Sequence, residues 1–308
     1  MNRKIAVVGA GNVGASCAMY LAEANLADVA MVDIIEGLPQ GKGLDLSQAG
    51  PVRGYNAMID GSNDMAAVKG ADIVVMTAGL ARKPGMTRED LLTKNAEIVG
   101  GVAKEIKKHA PKAYVIVVSN PLDLMTYHMM KVTGFPKERV IGQAGVLDST
   151  RFRTFVAMEL GVAMADVQAM VLGGHGDTMV PLSRYTTVAG IPIGELIPKE
   201  RIKAIEERTA NGGGEIVKLL KTGSAYYAPA AATVQMVRAI LNDEKRLLPC
   251  SCYLTGEYGI EDMHIGVPCI LGAKGVEKIL ELKLNKAELT SLQKSAATYK
   301  EHMKIMGY

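Results

Sequence analysis

Short apolar runs alternate with amphipathic stretches along the first half of the chain. Apolar runs at 5–8, 29–33, 57–60, 73–77, 114–118 and 140–142 read as strands. Several are continuous rather than alternating, which suits strands covered on both faces. Between them, apolar residues recur at helical spacing over 13–24, 41–48, 88–109 and 122–132. Strand and helix in strict succession predict an α/β fold, a doubly wound, mostly parallel Rossmann sheet with helices on both faces.

Past about residue 147 the rhythm changes. Helical periodicity at 149–160, 200–220 and 225–241 is mixed with strand-like runs at 167–172, 252–258 and 267–271. A closing helix over 286–304 is well signalled, with Asn285 as cap and Glu288 three residues on. The expected organisation is a nucleotide-binding domain over residues 1–146 and a mixed α+β domain over 147–308 that carries the rest of a site. No Pro/Ser linker separates the halves, so the two are expected to pack tightly. The apolar faces of 13–24 and 225–241 suit either a subunit interface or the core.

Composition narrows the picture. The chain has 308 residues, 48% of them hydrophobic, enough for a large core. A net charge of +3 and the lack of a basic block give no footprint for nucleic acid. No apolar run nears the ~20 residues that span a bilayer, and the N-terminus lacks the arrangement of a secretory signal. Cys17, Cys250, Cys252 and Cys269 lack paired CxxC spacing and read as reduced thiols, so the expectation is a cytoplasmic protein with no metal site.

Candidate chemistry begins with the glycine turn. Gly9-Ala10-Gly11-Asn12-Val13-Gly14 follows the first strand and opens the first helix. There, glycines allow a tight turn and close approach of a pyrophosphate to free helix N–H groups. Asp33 closes the second strand nineteen residues after Gly14, where a carboxylate can accept from ribose hydroxyls. Ile34, not an arginine, follows it, which favours NAD over NADP. Thr77-Ala78-Gly79 lies at the same edge of the fourth strand, although an ordinary turn would read alike. Asn95 and Val118 complete the expected cofactor-lining set with Asn120, which Pro121 places at the carboxyl end of the fifth strand.

Asp148 and Arg151, three apart, share a helix face, and His175 lies in the run Gly173-Gly174-His175-Gly176-Asp177. An imidazole exchanges protons near neutral pH, a neighbouring carboxylate steadies its cation, and a guanidinium binds a carboxylate through two parallel bonds. Taken singly, each residue is equally an ordinary cap, surface ion-pair partner or turn histidine; together they suit a carboxylated 2-hydroxy acid beside a nicotinamide. His128, His264 and His302 have no matching acid nearby in sequence, so core or surface roles are expected. The segment 80–88 adds Arg82, Lys83 and Arg88 with Pro84 and Gly85, a basic loop suited to closing over a site.

On residues 9–14, Asp33, 77–79, 81–88, 119–121, 147–151 and 173–177, the chain resembles the NAD-dependent malate/lactate dehydrogenase family over nearly its whole length. It is particularly similar to malate dehydrogenases built on the lactate dehydrogenase pattern. The resemblance implies that His175 and Asp148 form the proton-transfer pair and that Arg151 clamps the substrate's first carboxylate. It implies further that Arg88 polarises the carbonyl oxygen, and that Asn120 contacts substrate and cofactor. It makes Arg82 the discriminating residue, paired with the second carboxylate of malate or oxaloacetate, where lactate enzymes typically carry glutamine. A homodimer or homotetramer is also implied. The alternatives are a lactate or other 2-hydroxy acid dehydrogenase, a metal-requiring NAD-dependent glycosidase, or a silent dinucleotide-binding protein.

Overall fold

The computed structural model describes residues 3–80 and 87–308; of Arg88, only the backbone is described. Six strands come from the first half: β1 (Lys4–Val8), β2 (Asp28–Val32), β3 (Ile59–Ser62), β4 (Ile73–Met76), β5 (Tyr114–Val117) and β6 (Val140–Gly142). They are all parallel and ordered β3-β2-β1-β4-β5-β6. The order reverses between β1 and β4, and the carboxyl ends there flank the crevice where such sheets take ligands. The intervening helices are α1 (Asn12–Glu23), α2 (Leu38–Arg53), α3 (Arg88–His109) and α4 (Leu122–Thr133). Thr87 and Asp90 form a capping box at the start of α3, satisfying otherwise orphaned helix N–H groups.

Helix α5 spans Ala144–Leu160, five residues earlier than the periodicity suggests. Its first residues, Ala144–Ser149, are all buried, so no polar face marks the start, and Asp148 lies inside the helix rather than at its cap. Beyond it come the two-residue strands β7 (Val167–Gln168), β8 (Val171–Leu172), β9 (Val180–Pro181), β10 (Thr187–Val188) and β11 (Ile191–Pro192). The single strand expected over 167–172 is therefore split into β7 and β8, which join different small sheets. Helices α6 (Ile193–Leu196), α7 (Lys199–Leu220) and α8 (Tyr227–Leu241) follow. The chain closes with β12 (Arg246–Thr255), β13 (Glu261–Gly272), β14 (Gly275–Ile279) and α9 (Lys286–Ile305), the last with the Asn285–Glu288 capping box.

Strands β12 to β14 do not form a separate sheet. They extend the first one, antiparallel from β6 outward, to nine strands. One core of buried side chains accordingly runs through both halves, from Ile5 and Val75 to Val237 and Ile265. Helices α1 and α8 pack on each other, with Cys17, Leu21, Ala230 and Val234 buried, so those apolar faces belong to the core. A smaller cluster around Phe152, Val156, Val188 and Ile205 sits beneath α7. No helix among the described residues is long and apolar enough to cross a membrane.

Candidate active site

The carboxyl edge of the parallel sheet carries the first part of the site. After β1 the chain turns at Gly9, whose φ of +105° lies in the region that disfavours other residues. A side-chain carbon on Gly14 would stand 1.8 Å from the Gly9 carbonyl oxygen, so only glycine lets α1 start this close to the turn. Gly11, by contrast, faces open space, which leaves its backbone accessible to a ligand. Thr77 braces the turn from β4, its hydroxyl donating to the Val8 and Gly9 carbonyls. Asp33 accepts from the Ala10 N–H at 2.6 Å and the Ile35 N–H at 3.0 Å, fixing its carboxylate beside the glycines.

Asn95 on α3 is buried and ties two of these loops together. Its amide oxygen accepts from Leu80 N–H at 2.7 Å, and its nitrogen donates to the Leu80 and Asn120 carbonyls. Ala78 is held by Ser119, whose hydroxyl donates to its carbonyl at 2.6 Å. Val118 and Asn120 then line a cleft of about 450 Å³ together with Val13, Arg151 and His175. A turn only glycines allow, open helix N–H groups and a fixed carboxylate at the second strand's end fit a dinucleotide lying across the switch point.

The second part of the site stands on α5 and the segment after β8. His175 Nδ1 lies 2.9 Å from Asp148 Oδ2, so the neutral ring carries its proton on Nδ1 and offers Nε2 for exchange. Arg151 Nη1 donates to the other oxygen of Asp148 at 3.2 Å. Asp148 is only 1% exposed and thus faces both partners away from water. Burial works against a charged His175, but Asp148 beside the ring outweighs it and holds the imidazole above its ordinary range. Burial lowers Arg151, opposed by Asp148. Arg151 Nε is buried without a partner among the described residues. Glycines 212 and 213 of α7 give the guanidinium room; a side-chain carbon on Gly213 would stand 3.4 Å from it.

The backbone of His175 is equally fixed. Its N–H donates to Asp123 on α4, Gly174 N–H donates to Ser295, and the Tyr299 hydroxyl donates to the His175 carbonyl. A side-chain carbon on Gly174 would meet the Tyr299 ring at 2.0 Å, so glycine is required there. These supports from α4 and α9 escaped the sequence reading. The structure thus brings Gly9–Gly14, Asp33, Thr77, Val118, Asn120, Asp148, Arg151 and His175 to one edge of the sheet. Arg82 lies outside the described residues, as does the side chain of Arg88. Among the described residues no group of three His, Cys, Asp or Glu side chains could hold a metal ion.

Comparisons with known proteins find relatives over nearly the whole chain. The lactate/malate dehydrogenase NAD-binding domain matches residues 3–142, and the corresponding α/β C-terminal domain matches residues 145–306. The malate dehydrogenase of Roseiflexus sp. strain RS-1 is 60% identical over 296 residues, 96% of each chain. The apo malate dehydrogenase of Picrophilus torridus superposes with a TM-score of 0.96 at 49% identity, covering 98% of this chain and 97% of that one. A lactate dehydrogenase of Cryptosporidium parvum, solved with lactic acid and nicotinamide adenine dinucleotide, gives 0.96 at 44% identity, covering 99% and 98%. The fold alone therefore does not separate the two substrates. The chain belongs to the lactate/malate dehydrogenase family and is an NAD-dependent dehydrogenase.

Proposed function

We propose that this protein is a malate dehydrogenase that interconverts (S)-malate and oxaloacetate. The observation that carries the reading is the Asp148 carboxylate bonded at once to His175 Nδ1 and Arg151 Nη1, beside the cofactor edge of the sheet. Bound across the glycine turn, NAD supplies the hydride acceptor in one direction and the donor in the other. His175 Nε2 takes the proton of the C2 hydroxyl during malate oxidation, and Asp148 steadies the imidazolium that forms. In the reverse direction His175 enters protonated and returns that proton to the oxygen of oxaloacetate. Arg151 holds the C1 carboxylate with its free donors, and Asn120 contacts substrate and cofactor from the end of β5. Gly9, Gly11, Asn12, Val13, Gly14, Asp33, Thr77, Ala78, Gly79, Asn95 and Val118 form or brace the cofactor edge.

Selectivity is assigned to Arg82, whose charge pairs with the second carboxylate, and Arg88 polarises the reacting oxygen. Pyruvate has no second carboxylate, so it leaves one guanidinium unpaired as water is excluded, and an unpaired charge is costly to desolvate. The family likeness supports a homodimer or homotetramer, and the cytoplasm is the proposed compartment. The test is NADH oxidation with oxaloacetate by the protein and by its His175→Asn variant. The wild-type protein is expected to turn over, and the variant to lose a factor of about 10²–10⁴ in kcat. Near-normal turnover by the variant would contradict the proton-transfer assignment.

A further inference from the structure

Behind the Asp148–His175 pair lies a second carboxylate that the reaction scheme leaves unused. Asp123, in the first turn of α4, is 1% exposed. Its Oδ2 accepts from the main-chain N–H of His175 at 2.9 Å, and its Oδ1 accepts from the Ser251 hydroxyl of β12 at 2.6 Å. We propose that Asp123 is a positioning residue for His175: anchored by Ser251, it fixes the histidine's backbone and sets a second negative charge behind the imidazolium. The inference rests on the reading of His175 as the proton-transfer residue.

The chemistry of the position favours charge over mere bonding. An asparagine here could keep both contacts, its oxygen accepting from the His175 N–H and its amide nitrogen donating to Ser251 Oγ, without burying a carboxylate. Burial pushes Asp123 up to about 6, while the bonds from Ser251 and His175 oppose that rise. It is therefore ionised above that pH, where His175 must still hold its proton to reduce a keto acid. The α4 N-terminus accounts for part of its tolerance of charge. A purely dipolar role predicts an effect on stability and none on the titration of His175.

Among the described residues, the charged and titratable groups facing the imidazole can be named element by element. Helix α5 presents Asp148 and Arg151, and α4 presents Asp123. Asp177 on the histidine's own segment lines the same cleft, while Tyr299 and His302 of α9 line a second cavity with His175. Arg151 disfavours the imidazolium and the two carboxylates favour it. Removing one carboxylate charge therefore lowers the pH at which His175 gives up its proton. Oxaloacetate reduction needs that proton, so its alkaline limb moves to lower pH.

The experiment is the pH profile of kcat/KM for oxaloacetate at saturating NADH, for the wild-type protein, Asp123→Asn, Ser251→Ala and His175→Asn. Asp123→Asn is expected to move the midpoint of the alkaline limb down by about half a pH unit. Ser251→Ala should produce a smaller shift in the same direction, with KM for NADH unchanged in both. A midpoint within about 0.2 units of wild type, with only a lower Tm, would overturn the inference and leave Asp123 a packing and capping residue. If Asp123→Asn does not fold, the Ser251→Ala profile decides by the same criterion. An inactive His175→Asn together with unshifted limbs in Asp123→Asn and Ser251→Ala defeats this inference alone; an active His175→Asn defeats the reading beneath it.

Discussion

At the scale of single residues, the site turns on how one buried carboxylate is shared. Asp148 has two oxygens, and each meets a different functional group, His175 Nδ1 at 2.9 Å and Arg151 Nη1 at 3.2 Å. The sequence placed Asp148 and Arg151 on one helix face, three residues apart, whereas the partnership of Asp148 with His175 came from the family resemblance. Asp123 was not legible in the same way. Its partners, His175 and Ser251, lie 52 and 128 residues further along, and only the tertiary fold brings them together. The half-satisfied Arg151, with Nε buried and unpartnered among the described residues, makes a prediction of its own. Arg151→Gln should lower kcat/KM for oxaloacetate by about 10²-fold or more, since truncating one partner of a buried charged pair costs several kcal/mol. NADH binding, measured by fluorescence titration, should stay within about twofold. A variant with unimpaired kcat/KM would remove Arg151 from the substrate grip.

At the scale of elements, local pattern identified most strands and helices and misjudged their ends where packing overrode it. Helix α2 runs over Leu38–Arg53, twice the length expected, despite several glycines and Pro51 within it. Its glycines are used for contact: a side-chain carbon on Gly43 would stand 3.0 Å from the Ile59 carbonyl of β3. Strands β12 and β13 are likewise longer than their apolar cores, because pairing with each other extends them through polar residues at the ends. The turn between β1 and α1 is the element on which cofactor binding depends. The prediction for it is severe. Gly14→Ala would drive a methyl group into the Gly9 carbonyl, and the turn must open to relieve it. NADH affinity should weaken by about tenfold or more, as fluorescence titration would read. An unchanged dissociation constant would show that the close approach of α1 to the turn is not needed for binding.

At the scale of the whole molecule, the two halves distinguished by sequence pattern meet in one nine-stranded sheet. Beyond α5, short strands and antiparallel pairing replace the parallel succession of the first half. What pattern could not reveal is that Ser251 of β12 pairs with Gly142 of β6, because such registers are set over a long stretch of intervening chain. The shared sheet is also how the site is assembled. It holds the glycine turn and Asp33 at one edge and, through α4, α5 and the β12–β13 pair, the Asp123–His175–Asp148 group beside them. The fold would serve a mono- or a dicarboxylate, so the central claim concerns charge: one cation for each end of a four-carbon diacid. Side-by-side measurement of kcat/KM for oxaloacetate and pyruvate with NADH tests it most directly. The account predicts a preference for oxaloacetate on the order of 10³-fold or more. Comparable values for the two substrates would contradict it.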